Sequence, residues 1–413
     1  MFKKLIIAHM PMDGADALVT LLLENNRPAE LSAADCGAPS ILGNIYLGRI
    51  ETLQNSLSAA FVRIRPDQTA FLPLPEDHAF KPGDELLVQV EREDVKEKLP
   101  RLTTKLTFPG KYLVFCSQGK GVTFSKKLGL EDRKRIQKIL HRLIAPGAGV
   151  LARTAASEAS EEQLRREYFD LERQMVDVQI YGTKRTCYSC LRQSPEEWMQ
   201  MLDRCRRDEL SGVTTDDPEI YDRLVSIFLK EQGRLPSETE VRLYADRLLP
   251  LYKLYNMTTL LTELTSKTVY LKSGGSVVIE QTEAFVAIDV NTGRYAGNKN
   301  AKETKMLINR EAAAEIASQI RLRQLSGTIL IDFIGLKDRA DREEITELMR
   351  RCLAADADPA KVIDITALDI MELTRSRRHK SLKEQLTAIY RNKAKKQDAE
   401  SEHGNRDEEK NNL

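Results

Sequence analysis

Two apolar runs, each meeting an aspartate and joined by a long helical pattern, constrain the fold of this chain more than any other feature. The first run, AFVAID, ends at Asp289, and the second, TILIDFI, contains Asp332. Near-continuous apolar runs of this length are typical of strands buried on both faces of a sheet. Between them, apolar residues recur at helical spacing from Ala301 to Leu325 and predict a helix stopped by Gly327. A strand, a helix and a second strand in this order predict a crossover with parallel strands.

The predicted crossover places the two aspartates at the same edge of a sheet. Neighbouring strands lie roughly 5 Å apart, and open α/β sheets bind ligands at the carboxyl ends of their strands. The spacing allows the two parallel strands to be neighbours, which would bring both carboxylates together. Two carboxylates this close repel each other unless a proton or a metal ion relieves them. Mg²⁺ suits such a pair, because it takes one or two protein carboxylates and completes its shell with water and phosphate oxygens.

Asn291 is a candidate third member of this site. It follows Asp289 by two positions, so the two side chains point to the same side of an extended strand. Its amide is placed to orient the Asp289 carboxylate or to contact a phosphate, and Gly293 and Gly297 leave room for a backbone to approach. Aspartates at strand ends also serve as turn residues and helix caps. The residues alone leave this alternative open for Asp289 and Asp332.

From about Gly43 the pattern changes to short strands separated by turns. IYLGRIETL, AAFVRIRP, TAFLPLP and ELLVQVERE follow one another closely, and KLTFPGKYLVF continues the β character. About five short strands in roughly 75 residues predict a small closed barrel of the OB type. Its aromatic candidates are Tyr46, Phe61 and Phe71, because such barrels commonly stack single-stranded bases on exposed rings. The alternative, that these rings fill the barrel core, stays open for each of them.

The remaining segments predict a mixture of helices and strands. Residues 1–40 are predicted to form a strand, a helix and a loop, too little for a domain by themselves. EEQLRREYFDLERQMVDVQIYG predicts an amphipathic helix, and residues 196–264 are predicted to be mostly helical. Residues 266–385 alternate strands and helices, which indicates an α/β unit. The stretch KKQDAESEHGNRDEEKNNL has no apolar periodicity and is predicted to be disordered. The predicted fold class is therefore α/β multidomain, α+β overall.

Composition excludes several classes of protein. A chain of 413 residues is too long for one ordinary core and predicts two to four domains. With 30% charged residues and no long uninterrupted apolar run, no membrane span is expected. Six irregularly spaced cysteines indicate reduced thiols and a cytoplasmic protein. The net charge of +1 does not by itself indicate nucleic acid, but basic residues cluster late in the chain. This cluster forms either a solvated helical face or an RNA-contacting surface. It consists of Arg375, Arg377, Arg378, His379 and Lys380.

Several separate motifs resemble the ribonuclease E/G family. They are, in chain order, GNIYLGRI, AAFVRI with TAFLPL, VLARTAA, SGGSVVIEQTEAFVAIDVNTG and NREAAAEIASQIRLRQLSGTILIDFI. The similarity runs from about Met1 to Ser381. It implies a divided RNase H-like domain at residues 1–40 and 205–265. It further implies an inserted OB-fold RNA-binding domain at 41–106, a 5′-end sensor domain at 107–204 and a DNase I-like catalytic domain at 266–385, with a disordered tail at 386–413.

The resemblance also implies roles for particular residues. Asp289 and Asp332 match the two metal-binding aspartates of the family, with one Mg²⁺ ion at the catalytic site, and Asn291 matches the asparagine that supports the first aspartate. The aromatic and basic positions that contact RNA in the family are matched by Phe61, Phe71 and Lys98. The positions that bind the 5′-monophosphate are matched by Arg153, Thr154 and Phe124. Phe124 stands where the family usually has a smaller apolar residue.

The chain departs from the family where zinc is concerned. Family members carry a Cys-Pro-x-Cys pair that shares a zinc ion between two subunits, and a small C-terminal domain that helps them dimerise. This sequence has LTAIYRNKAKK at the position of the pair and no cysteine after Cys352. Zinc is therefore an unlikely cofactor in this prediction, and a homodimer without a zinc link remains an open prediction. Cys187 and Cys190 form a single CxxC pair, which is interpreted as two ordinary buried thiols in preference to a metal site.

These features predict a magnesium-dependent endoribonuclease that cleaves single-stranded RNA, favours 5′-monophosphorylated ends and leaves 5′-phosphate products, in RNA processing or decay. One alternative is a catalytically idle RNA-binding or scaffold protein. A second alternative is another metal-dependent phosphodiesterase, such as a DNase. The natural RNA substrates do not follow from the sequence.

Overall fold

The computed structural model describes residues 2–37, 40–75, 77–93, 99–126, 128–205, 210–230, 240–293, 301–354, 356–377 and 379–393. The chain divides into two compact units. Unit 1 comprises Met1–Pro39 and Glu197–Leu413, and unit 2 comprises the continuous segment Ser40–Glu196. Strands and helices are mixed in both units, which confirms the predicted α/β class. Lys98, Gly297, Arg378 and residues 394–413 of the predicted tail lie outside the described residues. The prediction of disorder is wrong for residues 386–393, because they belong to a helical segment at 382–393 with Leu386 and Ile389 buried.

The regular elements alternate along the chain. The strands are β1 (Lys3–Met12), β2 (Ala15–Glu24), β3 (Arg27–Asp35), β4 (Ile45–Gln54), β5 (Ala59–Arg65), β6 (Gln68–Pro73), β7 (Glu85–Arg92), β8 (Arg101–Thr103), β9 (Thr107–Pro109), β10 (Leu113–Cys116), β11 (Gly121–Phe124), β12 (Gly149–Ala152), β13 (Cys190–Arg192), β14 (Leu210–Thr215), β15 (Glu240–Leu243), β16 (Thr268–Tyr270), β17 (Ser276–Gln281), β18 (Val286–Asn291), β19 (Gly327–Asp332), β20 (Ala360–Ile365) and β21 (Ile370–Arg375). The helices are α1 (Leu130–Leu140), α2 (Glu161–Gly182), α3 (Glu197–Arg204), α4 (Pro218–Lys230), α5 (Leu251–Leu254), α6 (Met257–Thr265), α7 (Ala301–Leu322) and α8 (Arg339–Leu353).

The N-terminal segment of unit 1 is a three-stranded meander of β1, β2 and β3. The helix predicted here is wrong, because ALVTLLLE forms strand β2. Tight turns at Asp13-Gly14 and Asn25-Asn26 join the strands, and all four turn residues have positive φ. Two-residue hairpin turns need this left-handed conformation, which glycine, asparagine and aspartate adopt most readily. The turns therefore determine two hairpins, although the apolar run between them fits a helix as well as a strand.

β14 and β15 complete this first sheet, in the order β15-β14-β1-β2-β3. β14 runs parallel to β1, with Ile7 opposite Thr215. The prediction that residues 196–264 are mostly helical misses these two short strands. One face of the sheet packs against α6 and a helical segment at 382–393, and the other packs against α3 and α4. Alternate residues of β1 therefore serve two separate cores.

The second sheet of unit 1 has the strand order β16-β17-β18-β19-β21-β20. β18 and β19 are adjacent and parallel, as the crossover predicts. Both α7 and α8 pack on one face, where alternate strand residues such as Val286, Ile288, Ile329 and Ile331 are buried. The opposite residues, Asp289 among them, face the other side and are half-buried or exposed. The prediction that these strands are buried on both faces is therefore wrong for the described residues.

The helix α7 ends earlier than the sequence predicts. Its last residue is Leu322, and Gln324 adopts the left-handed conformation with φ 53°. The Leu325 N–H then donates to the Ile320 carbonyl, a backbone hydrogen bond that closes the helix terminus. Gly327, also at positive φ, lies at the first position of β19 and not at the end of the helix.

Unit 2 contains the predicted closed barrel. β4, β5, β6, β8 and β7 follow in this order, and β7 pairs back to β4 and closes the sheet. Gly48 lies next to Arg49, where β4 changes from pairing with β7 to pairing with β5, and a Cβ at Gly48 would be 2.7 Å from the Val62 side chain. Tyr46 is fully buried in the barrel core, and its hydroxyl accepts hydrogen bonds from Asn44 and Arg65. Tyr46 is therefore a core residue and not an exposed stacking ring.

The rest of unit 2 is a four-stranded sheet, β11-β12-β10-β9, packed with α1 and α2. α2 lies where the apolar periodicity of EEQLRREYFDLERQMVDVQIYG predicts a helix. The N-terminus of α2 is a capping box, in which the Ser160 hydroxyl accepts from the Gln163 N–H and the Gln163 side chain accepts from the Ser160 N–H. Among the described helices of both units, none has the length and apolar character needed to cross a bilayer.

Candidate functional site

The carboxylate pair of unit 1 occupies the carboxyl ends of two adjacent parallel strands. Asp289 on β18 is the direct register partner of Asp332 on β19. Both are exposed on the sheet face that α7 and α8 leave uncovered. Directly paired residues on adjacent strands have side chains that project from the same side. The fold therefore brings together two carboxylates that are more than 40 positions apart in the sequence.

Asn291 lies beside this pair. Its Nδ2 donates a 2.8 Å hydrogen bond to Asp289 Oδ2. Because an ionised carboxylate only accepts hydrogen bonds, this contact holds Asp289 in one orientation and leaves its other oxygen available to a ligand. Gly293 follows at φ 61°, and a Cβ there would collide with the Gly274 carbonyl oxygen. The backbone just after the site is thus packed too closely for any side chain at position 293.

Asp369 is a third carboxylate at this edge, which the sequence analysis missed. It lies in the turn between β20 and β21 at φ 64°, one residue before Ile370, the register partner of Asp332. Burial raises the pKa of Asp332, and the charges of Asp289 and Asp369 raise it further. Arg342 of α8 forms an ion pair with Asp369. The site therefore concentrates negative charge that a cation would relieve.

A second set of predicted residues meets in unit 2, again at the carboxyl ends of two parallel strands. Phe124 ends β11 and is the register partner of Ala152, which ends β12. Arg153 and Thr154 follow directly, and Thr154 begins a short 3₁₀ turn, Thr154–Ser157. The Thr154 hydroxyl lies 3.0 Å from the hydroxyl of Ser125. The structure thus groups the three predicted residues and adds Ser125, a second hydroxyl that the sequence analysis did not select.

Arg153 is anchored at the base of this group. Its N–H donates to the Tyr112 carbonyl, and its charge acts on the nearby carboxylate of Glu167. Glu167 accepts from the N–H groups of Lys111, Tyr112 and Leu113 at 2.5–2.9 Å. Burial raises the pKa of Glu167, and these three N–H groups and the charge of Arg153 oppose the rise. Glu167 therefore ties the strand β10 to the segment that carries Arg153.

Phe61 and Phe71 form an aromatic pair on the outside of the barrel. They are register partners on β5 and β6, and their ring centroids are 6.2 Å apart at 72°. Both rings are half-buried, whereas Ala60 and Val62 beside them point into the core. Arg101 pairs with Phe71 on the neighbouring strand. An edge-to-face ring pair next to a cationic side chain is a suitable surface for stacking unpaired bases.

Two members of the late basic cluster, Arg375 and His379, have partners within unit 1. Arg375 is 5% exposed and forms ion pairs with Asp356 and Asp358, both of them buried. His379 contacts Glu197 and Arg204. These two members are therefore held by acidic or hydrogen-bonding partners inside unit 1, which excludes an RNA-contacting role for the buried guanidinium of Arg375.

The six cysteines all lie in described residues, and all six are free thiols. Cys187 Sγ is oriented to the Leu47 carbonyl, and Cys190 Sγ to the Arg192 carbonyl. These weak contacts with backbone carbonyls are those of ordinary thiols. The prediction that both thiols are buried is wrong, because Cys187 is half-buried and Cys190 is exposed.

Mixed α/β sheets, a closed barrel with an outward aromatic pair, and a carboxylate pair at a strand edge define a multidomain α/β protein with a barrel of the OB type. The Ribonuclease E/G family profile matches residues 107–378 of the chain. With a match over more than half of its length, the chain belongs to the ribonuclease E/G family, which confirms the resemblance found in its motifs.

Individual relatives agree with this assignment. Ribonuclease E of Synechocystis sp. is 30% identical over 359 residues, which cover 83% of this chain and 53% of the relative. Ribonuclease G of Escherichia coli is 29% identical over 375 residues, which cover 83% of this chain and 74% of the relative. The chain therefore spans about half the length of the ribonuclease E relatives that it matches.

Proposed function

We propose that this protein is a magnesium-dependent endoribonuclease that cleaves single-stranded RNA in RNA processing or decay. The observation that carries the proposal is the direct register pairing of Asp289 with Asp332, with Asn291 bonded to Asp289. The names of the relatives, ribonuclease E and ribonuclease G, support RNA as the substrate. A DNase-type activity has no comparable support.

The donor chemistry of the site fits Mg²⁺. Asp289 and Asp332 supply only oxygen atoms, and both are exposed, so water and phosphate oxygens have access. Burial raises the pKa of Asp332, and the charges of Asp289 and Asp369 raise it further, so negative charge is concentrated at this position. Asp289 and Asp332 would hold the ion. When bound, Mg²⁺ polarises the scissile phosphate and lowers the pKa of a bound water.

The side chains around the pair have distinct tasks in this proposal. Asn291 keeps the Asp289 carboxylate in one orientation through its amide hydrogen bond. Arg342 holds Asp369 through an ion pair and moderates the negative charge that the RNA phosphate meets. Cleavage by in-line attack of water would leave a 3′-hydroxyl and a 5′-phosphate. The barrel would hold the RNA by stacking bases on Phe61 and Phe71.

The group around Arg153 supports a preference for a 5′-monophosphate. A guanidinium and two hydroxyls, from Thr154 and Ser125, suit a phosphate dianion. Phe124 closes one side of this group as the register partner of Ala152. We further propose that the first sheet of unit 1 corresponds to an RNase H-like domain and the second to a DNase I-like domain. The six free thiols support a cytoplasmic protein, and a homodimer without a zinc link is part of the same proposal.

The carboxylate pair is tested by Asp289→Asn and Asp332→Asn. Each change keeps the size of the side chain and removes a negative ligand. Loss of a metal that contributes several kcal/mol to transition-state stabilisation lowers kcat/KM by roughly 1000-fold. Cleavage of a 5′-monophosphorylated oligonucleotide is measured with Mg²⁺, and RNA binding is measured separately with a chelator. We expect binding to survive in both variants.

Asp364→Asn is the matched control, because Asp364 is an exposed carboxylate on β20 of the same sheet. It should cleave at the rate of the unmodified protein. If both site variants cleave at that rate too, the metal-site proposal is wrong. If the unmodified protein binds RNA and never cleaves it, the alternative of an idle RNA-binding scaffold is correct.

The 5′-end preference is tested by Thr154→Val, which is close in size and lacks the hydroxyl. The expected result is a loss of roughly 10-fold in the preference for a 5′-monophosphate over a 5′-hydroxyl, since one hydrogen bond to a charged group contributes about 1.5 kcal/mol. Cleavage of the 5′-hydroxyl substrate should not change. An unaltered preference would show that this hydroxyl does not contact the phosphate.

A further inference from the structure

We propose that His9, Asp16 and Cys36 form a binding site for Zn²⁺ in the first sheet of unit 1. Their ligand atoms all lie within 4.8 Å of one another. This site is separate from the Asp289 and Asp332 pair, which belongs to the second sheet of the same unit. It is also independent of the proposed nuclease activity. The three residues come from β1, from β2 and from the position after β3, so no metal-binding spacing appears in the sequence.

Strand register brings the three side chains to one face of the sheet. His9 on β1 is the partner of Leu18 on β2, and Asp16 lies two residues before Leu18. Side chains two positions apart on a strand share a face. Cys36 follows β3, and its N–H donates to the Asp16 carbonyl at 3.1 Å. The three residues therefore lie side by side across β1, β2 and the end of β3.

The distances match the edges of a tetrahedral zinc site. His9 Nδ1 lies 3.3 Å from Asp16 Oδ2 and 3.6 Å from Cys36 Sγ. Zinc–ligand bonds of roughly 2.0 Å to nitrogen or oxygen and roughly 2.3 Å to sulfur put tetrahedral ligands roughly 3.3 Å (N to O) and roughly 3.5 Å (N to S) apart. Both distances from His9 Nδ1 thus match tetrahedral edges, and the ligand atoms of Asp16 and Cys36 lie within 4.8 Å of each other.

The Asp217 carboxylate orients the His9 imidazole through the ring nitrogen that does not bind the metal. His9 Nε2 lies 2.8 Å from Asp217 Oδ2. Since a carboxylate accepts, Nε2 donates, and this leaves Nδ1 as the atom that binds the metal. Asp217 is itself fixed, because its Oδ1 accepts from the Ile220 N–H in the first turn of α4. A second carboxylate, that of Asp216, accepts a 3.0 Å hydrogen bond from the backbone N–H of His9. Histidine ligands of zinc commonly donate their other N–H to a carboxylate in this way.

The choice of ligands favours zinc over magnesium. Imidazole and thiolate are soft or borderline ligands that suit Zn²⁺, whereas the oxygen-only pair of the proposed nuclease site suits Mg²⁺. Asp16 and Cys36 are exposed, so a water molecule can reach the fourth tetrahedral position. The spacing of cysteines along the sequence does not indicate this zinc site. The folded sheet supplies a ligand set that such motifs do not contain.

The bound ion would link β1, β2 and the position directly after β3. Asp16 lies just after the Asp13-Gly14 turn, and Cys36 lies where the chain leaves β3. One ion held by all three side chains links the ends of three strands at once, and binding to the folded state alone stabilises that state. We therefore expect Zn²⁺ to raise the melting temperature of the protein at Mg²⁺ concentrations that saturate the other site.

The test is a Co²⁺ titration of the metal-free full chain in excess Mg²⁺. Co²⁺ replaces Zn²⁺ in such sites and reports a bound thiolate by a charge-transfer band. We expect one equivalent to give this band together with the visible spectrum of a four-coordinate ion, and Zn²⁺ to remove both signals. The Asp289 and Asp332 site contains no sulfur and cannot produce the band.

Matched variants identify the ligands. Cys36→Ser and His9→Ala should abolish the band, and Cys190→Ser, which changes the other exposed cysteine, should keep it. Asp217→Asn should weaken Zn²⁺ binding by about 10- to 100-fold, as expected for a group that orients a ligand. A band that persists in Cys36→Ser, or that disappears in Cys190→Ser, overturns the proposal.

Alkylation of the unmodified protein gives a test that does not depend on any variant. Zn²⁺ should slow the reaction of Cys36 with iodoacetamide, measured by mass spectrometry, and leave the rate at Cys190 unchanged. Equal rates at Cys36 with and without Zn²⁺, or the absence of a charge-transfer band in the Co²⁺ titration, would each refute the site. Neither result would bear on RNA cleavage, which is measured with Mg²⁺ alone.

Discussion

Arg375→Met removes the cation from a buried ion-pair cluster in unit 1 and keeps most of the side-chain volume. Arg375 donates to Asp356 at 2.7 and 3.1 Å, contacts Asp358 at 3.2 Å and donates to the Leu325 carbonyl at 3.0 Å. Arg375, Asp356 and Asp358 are each at most 5% exposed. The variant therefore leaves two carboxylates buried without their cation. Breaking a buried pair from one side costs about 3–5 kcal/mol.

The expected change in melting temperature follows from this free energy. In a unit of this size, 1 kcal/mol shifts Tm by roughly 2–4 °C. A loss of about 4 kcal/mol therefore lowers Tm by roughly 8–16 °C, measured by calorimetry or circular dichroism at neutral pH. Arg377→Met is the matched control, because Arg377 is 39% exposed and its ion pair with Glu384 contributes at most about 1 kcal/mol.

The salt dependence of RNA binding by Arg375→Met shows whether Arg375 contacts a phosphate or has only a structural role. A buried guanidinium neutralises no phosphate, so the slope of log Kd against log salt should equal that of the unmodified protein below the melting transition. The reasoning is refuted if Arg375→Met melts within 2 °C of the unmodified protein (an interval of about 0.5–1 kcal/mol). A shallower salt slope in that variant would identify Arg375 as a phosphate contact.

Two further predictions concern pH and RNA. Burial raises the pKa of Glu197, but the hydrogen bond and charge of His379 and the charge of Arg204 outweigh it and hold the pKa below 4.5. Between the pKa of Glu197 in the folded protein and its higher pKa in the unfolded chain, the unfolded chain therefore binds more protons. The free energy of unfolding falls as pH drops through this range. Glu197→Gln should be less stable by about 1.5 kcal/mol at pH 7, and urea titrations should show the difference vanish toward pH 3; a constant difference would contradict it. Phe71→Ala should weaken binding of a single-stranded oligonucleotide by roughly 1–3 kcal/mol and leave duplex binding unchanged, whereas equal loss for both would contradict stacking.

The carboxylate site could be predicted because its determinants are local. Two apolar runs with one long helix between them indicate a crossover connection, and strands joined through such a crossover run parallel. The structure adds the register, in which Asp289 and Asp332 are direct partners. Asp369 could not be predicted, because its place beside Asp332 depends on the pairing of β19 with β21. No local pattern distinguishes it from other turn aspartates.

The hairpins of β1 to β3 show where local patterns are ambiguous. ALVTLLLE is apolar at almost every position, so neither the helical nor the strand period is distinctive. The turn residues Asp13-Gly14 and Asn25-Asn26 carry the deciding signal, because they favour the left-handed backbone of tight hairpins. The short strands β14 and β15 are missed for another reason. Their hydrogen-bond partners come from β1, and a window of neighbouring residues does not contain them.

The parallel pairing of β1 with β14 has a consequence for synthesis on the ribosome. The first three strands emerge early, but β14 follows only after unit 2 and α3 have been made. At typical rates of translation this interval is roughly 10 to 35 s. During it, the backbone N–H and C=O groups of β1 that will face β14 have no partner, as on any exposed sheet edge. We therefore expect the nascent meander to expose a strand edge that a chaperone can bind, while unit 2, whose chain is continuous, has every residue that it needs to fold.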